Sequence, residues 1–423
     1  MPNKAVVRAA EELERKIKAW LHDHLIPRMA DILKEKYIKG EAECKVTRPR
    51  DSYFQSDTFF ANIRFASSSP TEWHVLVKLP NQDEIVRTHH NFTDLFNNEI
   101  LFYQRFANSE SEDYPKCYLA GADPVFEKVI VLENVSPRGY FICSNKINIG
   151  MDYVLAGLQT IARFHGFTYA IKEEMPEKFY QIVNNIKLVR YDKDNVYMPH
   201  METVNSRILR VVKGLKARGE DLKFTKQIED LFKDAYHKVL IRCVEPVEPL
   251  ATIVHGDCTQ NNVMFRKVDP GGFQAILIDF QLMMYTSPAA DVSVWIYMCL
   301  TLEDIKAHRE ALFNAYHDTL RKILKERNIW SPEKYSREAF WQDYKQHAII
   351  GYITAAYFLP IMTEFADNND LLQLNDEAIE KANASGGGEV LTNALVDMLL
   401  DAREAGLLDF YLNNDKAEVC QHE

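Results

Sequence analysis

Two stretches decide the fold, Ile253-Val-His-Gly-Asp-Cys-Thr-Gln-Asn-Asn-Val-Met-Phe-Arg266 and, further on, Ala275-Ile-Leu-Ile-Asp-Phe-Gln281. Each contains a short apolar run that favours a β-strand, and Asp269-Pro-Gly-Gly272 between them is typical of a turn. We therefore expect the two runs to pair as an antiparallel hairpin. In that hairpin Asn262 and Asp279 lie side by side at the open end.

A third polar side chain, Asp257, comes one loop before Asn262. Two carboxylates and one carboxamide are therefore expected around one small volume. Oxygen ligands of this kind hold Mg²⁺, and a neighbouring carboxylate can orient a hydroxyl group. The alternative is that Asp, Asn and Gly stand here because they form turns, as any one of them alone more often does. The spacing of Asp257 and Asn262, followed by a hairpin and a second Asp, favours a phosphotransferase site.

The composition indicates a globular chain whose 423 residues are enough for two lobes. The 61 acidic and 50 basic residues give a net charge of −11, which argues against nucleic acid or a membrane surface as a partner. The seven scattered cysteines favour reduced thiols over disulfides or a zinc site. The first residues lack the apolar core of a secretory signal, and no apolar stretch is long enough to cross a bilayer. We expect a monomeric, cytoplasmic protein that acts on a small molecule.

The first lobe is predicted to contain strands and one functional helix after a helical extension over residues 1–37. Trp73–Leu79 alternates as a strand, which places Lys78 on the face opposite Val77. Asn91–Ala107 is predicted to be a helix with Glu99 inside its apolar stripe, where a carboxylate needs a partner. We expect Lys78 to be that partner and to bind nucleotide phosphates. The alternatives are an exposed strand lysine and a helix-edge glutamate that reaches solvent.

The strand predicted over Lys128–Val135 marks the passage to a second lobe, so the predicted domains are 1–135 and 136–423. Backbone groups of Glu133 and Val135 are candidates for hydrogen bonds to adenine, although a plain strand end would have the same sequence. From residue 152 onward the patterns are mainly helical. Asp291 falls in the first turn of the helix that follows Ser287-Pro288, where it either interacts with the helix dipole or braces the catalytic loop. His165 is expected to be a packed core residue.

With these motifs in place, the chain resembles the ecdysteroid kinase-like family of small-molecule kinases, relatives of aminoglycoside phosphotransferases and choline kinases. The residues that carry the resemblance are His255-Gly-Asp257 with Asn262, Met264 and Phe265, then Ile278-Asp-Phe-Gln281 and Asp291, and more weakly Lys78, Glu99, Phe102-Tyr103, Val131-Leu-Glu133 and Ala162-Arg-Phe-His165. The resemblance implies an α+β, protein-kinase-like fold with a small antiparallel-sheet lobe and a mainly helical lobe. It also implies transfer of the ATP γ-phosphate to the hydroxyl of a small molecule.

Roles follow from the same resemblance. Asp257 would orient or deprotonate the acceptor hydroxyl, while Asn262 and Asp279 would hold Mg²⁺ on the phosphates. Lys78, held by Glu99, would bind the phosphates of ATP. His255 and Asp291 would support the conformation of the loop. Since phosphoryl transfer depends mostly on positioning and charge neutralisation, these few residues would suffice for the chemistry.

One stretch departs from the family pattern. The family's phosphate-covering turn carries a glycine, whereas the corresponding residues Gln55–Phe60 have none and include Asp57. A side chain restricts how closely backbone amides approach a phosphate, and a carboxylate adds negative charge beside it. The departure keeps a second hypothesis open, a catalytically weak kinase-fold protein that binds a small molecule or a partner protein. The intact set of Asp257, Asn262, Asp279 and Lys78 favours the enzyme.

The acceptor is the least determined feature of the sequence. Aromatic residues in the late helices either wall a pocket or form plain core, and core is the more frequent arrangement; they are Trp341, Tyr344, Tyr352, Tyr357 and Phe358. As a pocket, they would suit a steroid or similar lipophilic alcohol better than a polycationic aminoglycoside.

Overall fold

A computed structural model describes residues 4–35, 42–48, 56–65, 72–82, 84–89, 91–107, 111–193, 203–269, 271–364 and 385–413. The chain divides into two compact units, and each is described by itself. The first, here called the sheet unit, comprises Met1–Arg87, Asn108–Glu110 and Pro115–Pro137. The second, here called the helical unit, comprises Thr88–Ala107, Ser111–Tyr114 and Arg138–Glu423. The predicted α+β organisation, an antiparallel sheet followed by a mainly helical part, is confirmed.

The sheet unit is built on five antiparallel strands in the order β1-β2-β3-β5-β4. They are β1 (Glu43–Thr47), β2 (Ser56–Arg64), β3 (Glu72–Pro80), β4 (Cys117–Asp123) and β5 (Glu127–Glu133). The alternation predicted for β3 is present, since Val75, Val77 and Leu79 are fully buried on one side. Lys78 pairs in register with Thr58 on β2 and is itself largely buried.

Gln55–Phe60, the stretch that the resemblance aligns with the family's phosphate-covering turn, is a strand from Ser56 onward, because Ser56 begins β2. Ser56 pairs with Pro80 and Phe60 with Leu76, so the stretch is a regular strand along β3. Cross-strand pairing and burial of Phe59 hold these residues in the strand, so they do not align with a turn. Gln55 lies outside the described residues. Asp57 accepts a hydrogen bond from the backbone N–H of Gln82 at 3.1 Å, and burial raises the pKa of its carboxyl.

The helical extension at the amino terminus packs within the sheet unit. It consists of α1 (Lys4–Trp20), a π-helical segment (Leu21–Leu25) and α2 (Ile26–Leu33). Its buried face, which includes Trp20 and Leu25, joins one apolar cluster with Phe59 and Val75 of the sheet. The indole Nε1–H of Trp20 donates to the Asp123 carboxylate in the β4–β5 turn at 2.9 Å. The extension is thus fixed by apolar burial and by one buried polar contact.

The helical unit contains most of the remaining secondary structure. Its α-helices are α4 (Phe92–Leu101), α5 (Met151–Glu174), α6 (Pro176–Val183), α7 (Thr203–Ile208), α8 (Arg210–Arg218), α9 (Leu222–Phe232), α10 (Ala289–Cys299), α11 (Leu302–Glu326), α12 (Pro332–Tyr335), α13 (Arg337–His347), α14 (Ile349–Glu364), α15 (Gly388–Glu404) and α16 (Asp409–Leu412). Two π-helical segments, Phe102–Phe106 and Tyr236–Ile241, belong to the same unit. The short helix α3 (Glu84–His89) contains the boundary between the two units, which falls after Arg87. Short strands make two small sheets, β7 (Thr252–Val254) with β10 (Met284–Thr286), and β6 (Phe141–Ile142) with β8 (Val263–Lys267) and β9 (Phe273–Leu277). None of the helices in the described part of the chain is long and apolar enough to cross a membrane. The cysteines in the described ranges are free thiols.

Helix α4 is anchored to the segment that follows β9. The ring of Phe102 stacks on that of Phe280 with a centroid distance of 3.6 Å and an interplanar angle of 9°. The amide of Asn98 donates to the backbone oxygens of Gln281 at 3.0 Å and Lys187 at 2.8 Å. Glu99 lies between these two anchors and is 1% exposed, so the prediction of an inward-facing glutamate is confirmed.

Candidate active site

The predicted catalytic loop runs from the end of β7 to the start of β8, and its conformation requires Gly256. This residue has a φ of +80°, in the left-handed region that disfavours side chains. A Cβ atom at this position would lie 2.0 Å from the carbonyl oxygen of Leu282. No other residue fits without displacing the backbone next to Asp257.

Asp291 braces this loop from the first turn of α10. Its carboxylate accepts hydrogen bonds from the backbone N–H groups of His255 at 2.7 Å and Gly256 at 2.9 Å. The ring Nε2 of His165 lies 3.1 Å from the same carboxylate, and Tyr316 bonds the other ring nitrogen at 2.8 Å. Burial alone would raise the pKa of Asp291, but the interaction with His165 and the hydrogen bond from the N–H of Gly256 lower it below its ordinary value. Asp291 therefore contacts the loop as predicted, and His165 is the packed core residue that we expected.

His255 ties the loop to the end of β9. Its Nε2–H donates to the backbone oxygen of Ile278 at 2.9 Å, and its Nδ1 accepts from the backbone N–H of Asp257 at 3.3 Å. Because one partner is only an acceptor and the other only a donor, these contacts select the neutral ring with hydrogen on Nε2. His255 thereby supports the loop without adding charge to it.

The hairpin brings Asn262 and Asp279 together as predicted. Val263 pairs with Leu277, and the N–H of Ile278 donates to the backbone oxygen of Asn262 at 3.0 Å. Asp279 follows immediately, with a φ of +69° that is uncommon for a residue with a side chain. Such strained backbone is typical of sites where a side chain must point in one particular direction.

Asp257 is held by two donors on different oxygens. The amide nitrogen of Asn262 donates to its Oδ2 at 2.9 Å and to its backbone oxygen at 3.0 Å. The guanidinium of Arg190 donates to its Oδ1 at 3.0 Å, and both of these side chains are mostly buried. Burial disfavours a charged guanidinium, but the attraction of Asp257 outweighs this and raises the pKa of Arg190.

The donor set of this cluster fits Mg²⁺. Asn262 gives its amide nitrogen to Asp257, which leaves its oxygen as the atom that would bind a cation, and Asp279 would add a carboxylate. Among the residues that the structure describes, no three His, Cys, Asp or Glu side chains converge on one point. Mg²⁺ in phosphotransferases uses one or two protein carboxylates and completes its shell with phosphate oxygens and water, so the pair is sufficient.

The predicted nucleotide residues are distributed over both units. Lys78 lies on β3 and Glu133 at the end of β5 in the sheet unit, with Val135 just beyond it. The N–H of Glu133 already donates to the backbone oxygen of Lys116 at 2.7 Å, so that group is engaged in the sheet unit itself. Glu99 belongs to the helical unit, and its pairing with Lys78 stays a prediction.

Two residues of the site were missed in the sequence. Arg190 lies in the irregular segment after α6, 67 positions before Asp257, and no motif surrounds it. Asn98 stands beside the predicted Glu99 and looked like an ordinary polar helix residue. Only the long-range contacts of the folded chain identify them.

The late aromatic residues fall into two groups. Trp341 and Tyr344 stack on each other and line a cavity of about 30 Å³, which is room for a single water molecule, and Tyr352 is fully buried. Tyr344 and Tyr352 are core residues, whereas Trp341 is only partly buried. Phe358 is also partly buried and lies 5.9 Å from the guanidinium of Arg190. One helical turn later, the half-buried Met362 accepts a hydrogen bond from Gln260 of the catalytic loop at 3.5 Å.

Comparison with known proteins supplies a family and several similar folds. Residues 51–329 match the ecdysteroid kinase-like family. No curated protein matches the chain at a significant level. Among solved structures, an ethanolamine kinase from Plasmodium vivax is 12% identical over 86% of this chain and 83% of its own, with a TM-score of 0.41. A choline kinase from Streptococcus pneumoniae is 13% identical over 79% and 98%, with a TM-score of 0.34. Wild-type aminoglycoside 2'-phosphotransferase-IIIa, solved with GDP, is 10% identical over 86% and 98%, with a TM-score of 0.36.

Proposed function

The chain belongs to the ecdysteroid kinase-like family of small-molecule kinases, and we propose from this that it uses ATP and Mg²⁺ to phosphorylate a hydroxyl group of a small, lipophilic alcohol. The observation that carries the proposal is the contact of Asp257 with Asn262, beside Asp279 at the open end of one hairpin. Together they provide an oriented carboxylate next to oxygen ligands for a divalent cation, which phosphoryl transfer to an alcohol requires.

The roles that we propose for residues of the helical unit follow from the hydrogen bonds that Asp257 and Asn262 make in the structure. Asn262 and Asp279 hold Mg²⁺, which when bound neutralises phosphate charge. Asp257, fixed by Arg190 and Asn262, accepts a hydrogen bond from the acceptor hydroxyl and directs its oxygen to the phosphate. The hydroxyl oxygen bonds to the γ-phosphorus, the bond from that phosphorus to the bridging oxygen of ATP breaks, and ADP leaves; the hydroxyl proton passes to a carboxylate oxygen of Asp257. His255 and Asp291 fix the backbone that carries Asp257.

In the sheet unit we propose that Lys78 binds the nucleotide phosphates. The N–H of Glu133 is engaged by Lys116, so adenine recognition falls to the carbonyl of Glu133 and the backbone of Val135. Lys78 suits this role because it lies on a central strand whose backbone pairs with β2 on one side and β5 on the other.

The lipophilic acceptor is supported by the side chains beside the catalytic loop. Phe358 and Met362 lie four residues apart on α14 and therefore share one helix face. Both are half-buried, and they lie next to Arg190 and Gln260. An apolar face here favours a steroid-like or similar alcohol over an aminoglycoside, whose several cations would need carboxylates.

A melting experiment with ATP, with and without Mg²⁺, tests this function. ATP at about one hundred times its dissociation constant adds roughly 2.7 kcal/mol to the free energy of unfolding, which raises the midpoint by a few degrees. We expect a Mg²⁺-dependent shift in the wild type and its loss in Asp279→Ala. The matched control is Asp269→Ala, which removes an exposed carboxylate at the other end of the same hairpin and should leave the shift intact.

No shift in the wild type at millimolar ATP would reject ATP as the phosphate donor. A shift that survives in Asp279→Ala would place the cation elsewhere. Equal loss in both variants would show that the hairpin, rather than the proposed ligand, was damaged.

A further inference from the structure

We propose that Arg190 is a positioning residue for the reaction, which holds the carboxylate of Asp257 in the orientation needed to receive the acceptor hydroxyl. The proposal rests on the proposed function and adds a residue that the family motifs do not contain. Arg190 acts through Asp257 and is not assigned a contact with substrate.

The first argument is the geometry of the carboxylate. Arg190 bonds Oδ1 of Asp257 at 3.0 Å, while Asn262 bonds Oδ2 at 2.9 Å. A carboxylate with one donor can still rotate about its last torsion, whose energy profile is broad. Donors on both oxygens fix the plane of the group, so the lone pair offered to a hydroxyl has one direction.

The second argument is charge. The loop residues from Cys258 to Asn262 include no lysine or arginine. The side chains of Arg190 and Asp257 are only 11% and 16% exposed, so they attract each other through a medium that screens less than water. Arg190 thus supplies from a distant segment the cation that the loop itself lacks.

The third argument is that the segment carrying Arg190 is fixed from two directions. The hydroxyl of the buried Tyr236 donates to the backbone oxygens of Arg190 at 3.2 Å and Asp192 at 2.9 Å. Upstream, the N–H of Lys187 donates to Asn98 at 2.9 Å, and the amide of Asn98 donates back to Lys187 at 2.8 Å. A guanidinium on such a fixed backbone holds its partner in place, whereas one on a mobile loop would follow it.

Asn98 also connects this segment to the proposed metal ligand. Its amide donates to the backbone oxygen of Gln281, two residues after Asp279. The same side chain therefore sets the positions of the segment behind Arg190 and of the segment behind Asp279. Asp257 and Asp279 are held relative to each other through Asn98 as well as through the hairpin.

The test measures ADP formation from ATP and Mg²⁺, with water as acceptor, in the full chain. We expect Arg190→Met to lower kcat by roughly 10- to 100-fold, since small misplacements of reacting groups have effects of this size. The KM for ATP should stay within about twofold, because Arg190 does not contact the nucleotide in the proposal. Arg190→Lys, which keeps the charge with one point of contact, should recover part of the lost rate.

Arg309→Met is the matched control, because one guanidinium nitrogen of Arg309 donates to both carboxylate oxygens of Asp401 in the same unit, away from the loop. It should leave kcat within about twofold of the wild type. The decisive readout is a double-mutant cycle with Asp257→Asn. If Arg190 acts through Asp257, then Arg190→Met lowers the residual rate of Asp257→Asn by less than about twofold.

Three results would overturn the proposal: an unchanged kcat in Arg190→Met, a raised kcat, which would mean that the ion pair restrains Asp257, or an equal loss of rate in the Asp257→Asn background. Should Arg190→Met fail to fold, Arg190→Gln replaces it under the same criteria. A wild type that neither binds nor consumes ATP would reject the proposed function instead, and the role of Arg190 in catalysis with it. The two failures are therefore distinguishable.

Discussion

Two buried aspartates, one in each unit, are surrounded by almost the same set of donors. Asp123 in the β4–β5 turn accepts two backbone N–H groups, from Val125 and Phe126 at 2.9 Å, and the ring N–H of Trp20. Asp291 at the start of α10 also accepts two backbone N–H groups, and it lies beside a ring nitrogen of His165. Each carboxylate therefore contacts the N–H groups of two consecutive residues and one ring nitrogen from a distant element.

The difference lies in which backbone each aspartate holds. Asp123 holds a tight turn and the amino-terminal extension of the sheet unit, so we expect it to contribute to stability alone. Asp291 holds His255 and Gly256, which lead directly into Asp257. The same arrangement of hydrogen bonds therefore serves structure in one region and the candidate active site in the other. A buried carboxylate indicates function only through the residues that it positions.

The largest effect should come from exchanging each carboxylate for an amide. Asp291→Asn places an N–H₂ group against backbone donors, displaces the loop and should lower kcat by about 100-fold or more. Asp123→Asn disturbs its own turn in the same way and should leave kcat within about twofold. Both should lower the free energy of unfolding by roughly 2–4 kcal/mol. Rate assays and denaturant melts on the two variants check this.

Equal losses of activity at equal losses of stability would contradict the distinction between the two regions. Activity should be measured well below the melting temperature of the weaker variant, so that unfolding does not imitate a catalytic defect.

Glycine substitutions sharpen the comparison, because they separate the cost of a left-handed backbone from the cost of a steric clash between the new Cβ and its neighbours. Gly256→Ala and Gly219→Ala both force alanine into the left-handed region, at φ +80° and +69°. The Cβ at Gly219 meets open space, so that variant should lose only about 1 kcal/mol of stability and no activity. The Cβ at Gly256 meets the backbone of Leu282, and we expect a loss of roughly 3 kcal/mol or more together with a large loss of rate. Indistinguishable variants would show that the loop tolerates movement.

The smallest effect is a dependence on pH. Because the folded state lowers the pKa of Asp291 below its ordinary value of 3.8, the ionised carboxylate stabilises the fold above that pH. This contribution is lost as the pH falls through the unfolded pKa towards the folded one. The difference in unfolding free energy between wild type and Asp291→Asn should thus shrink as the pH falls below about 4. A difference that persists unchanged at pH 3 would contradict the assignment.

The sequence predicted the parts of the site that depend on local pattern. Asn262 and Asp279 were brought together by one hairpin whose turn residues are evident, and Asp291 by the capping pattern of the helix that follows. The alignment of Gln55–Phe60 with the family's covering turn failed from Ser56 onward, because it rested on the resemblance alone, and pairing with β3 decides the conformation there. Arg190 was not predictable, because neither periodicity nor a motif marks a residue in an irregular segment whose partner is 67 positions away.

The central claim is that Asp257 directs transfer of phosphate from ATP to a lipophilic alcohol. Labelled γ-phosphate should be followed from ATP to a steroid alcohol, with choline and an aminoglycoside as comparison acceptors. The account predicts Mg²⁺-dependent labelling of the steroid by wild type and Asp123→Asn, reduced by about 10²- to 10⁴-fold in Asp257→Asn. No labelled alcohol with the wild type, or undiminished labelling with Asp257→Asn, would contradict it.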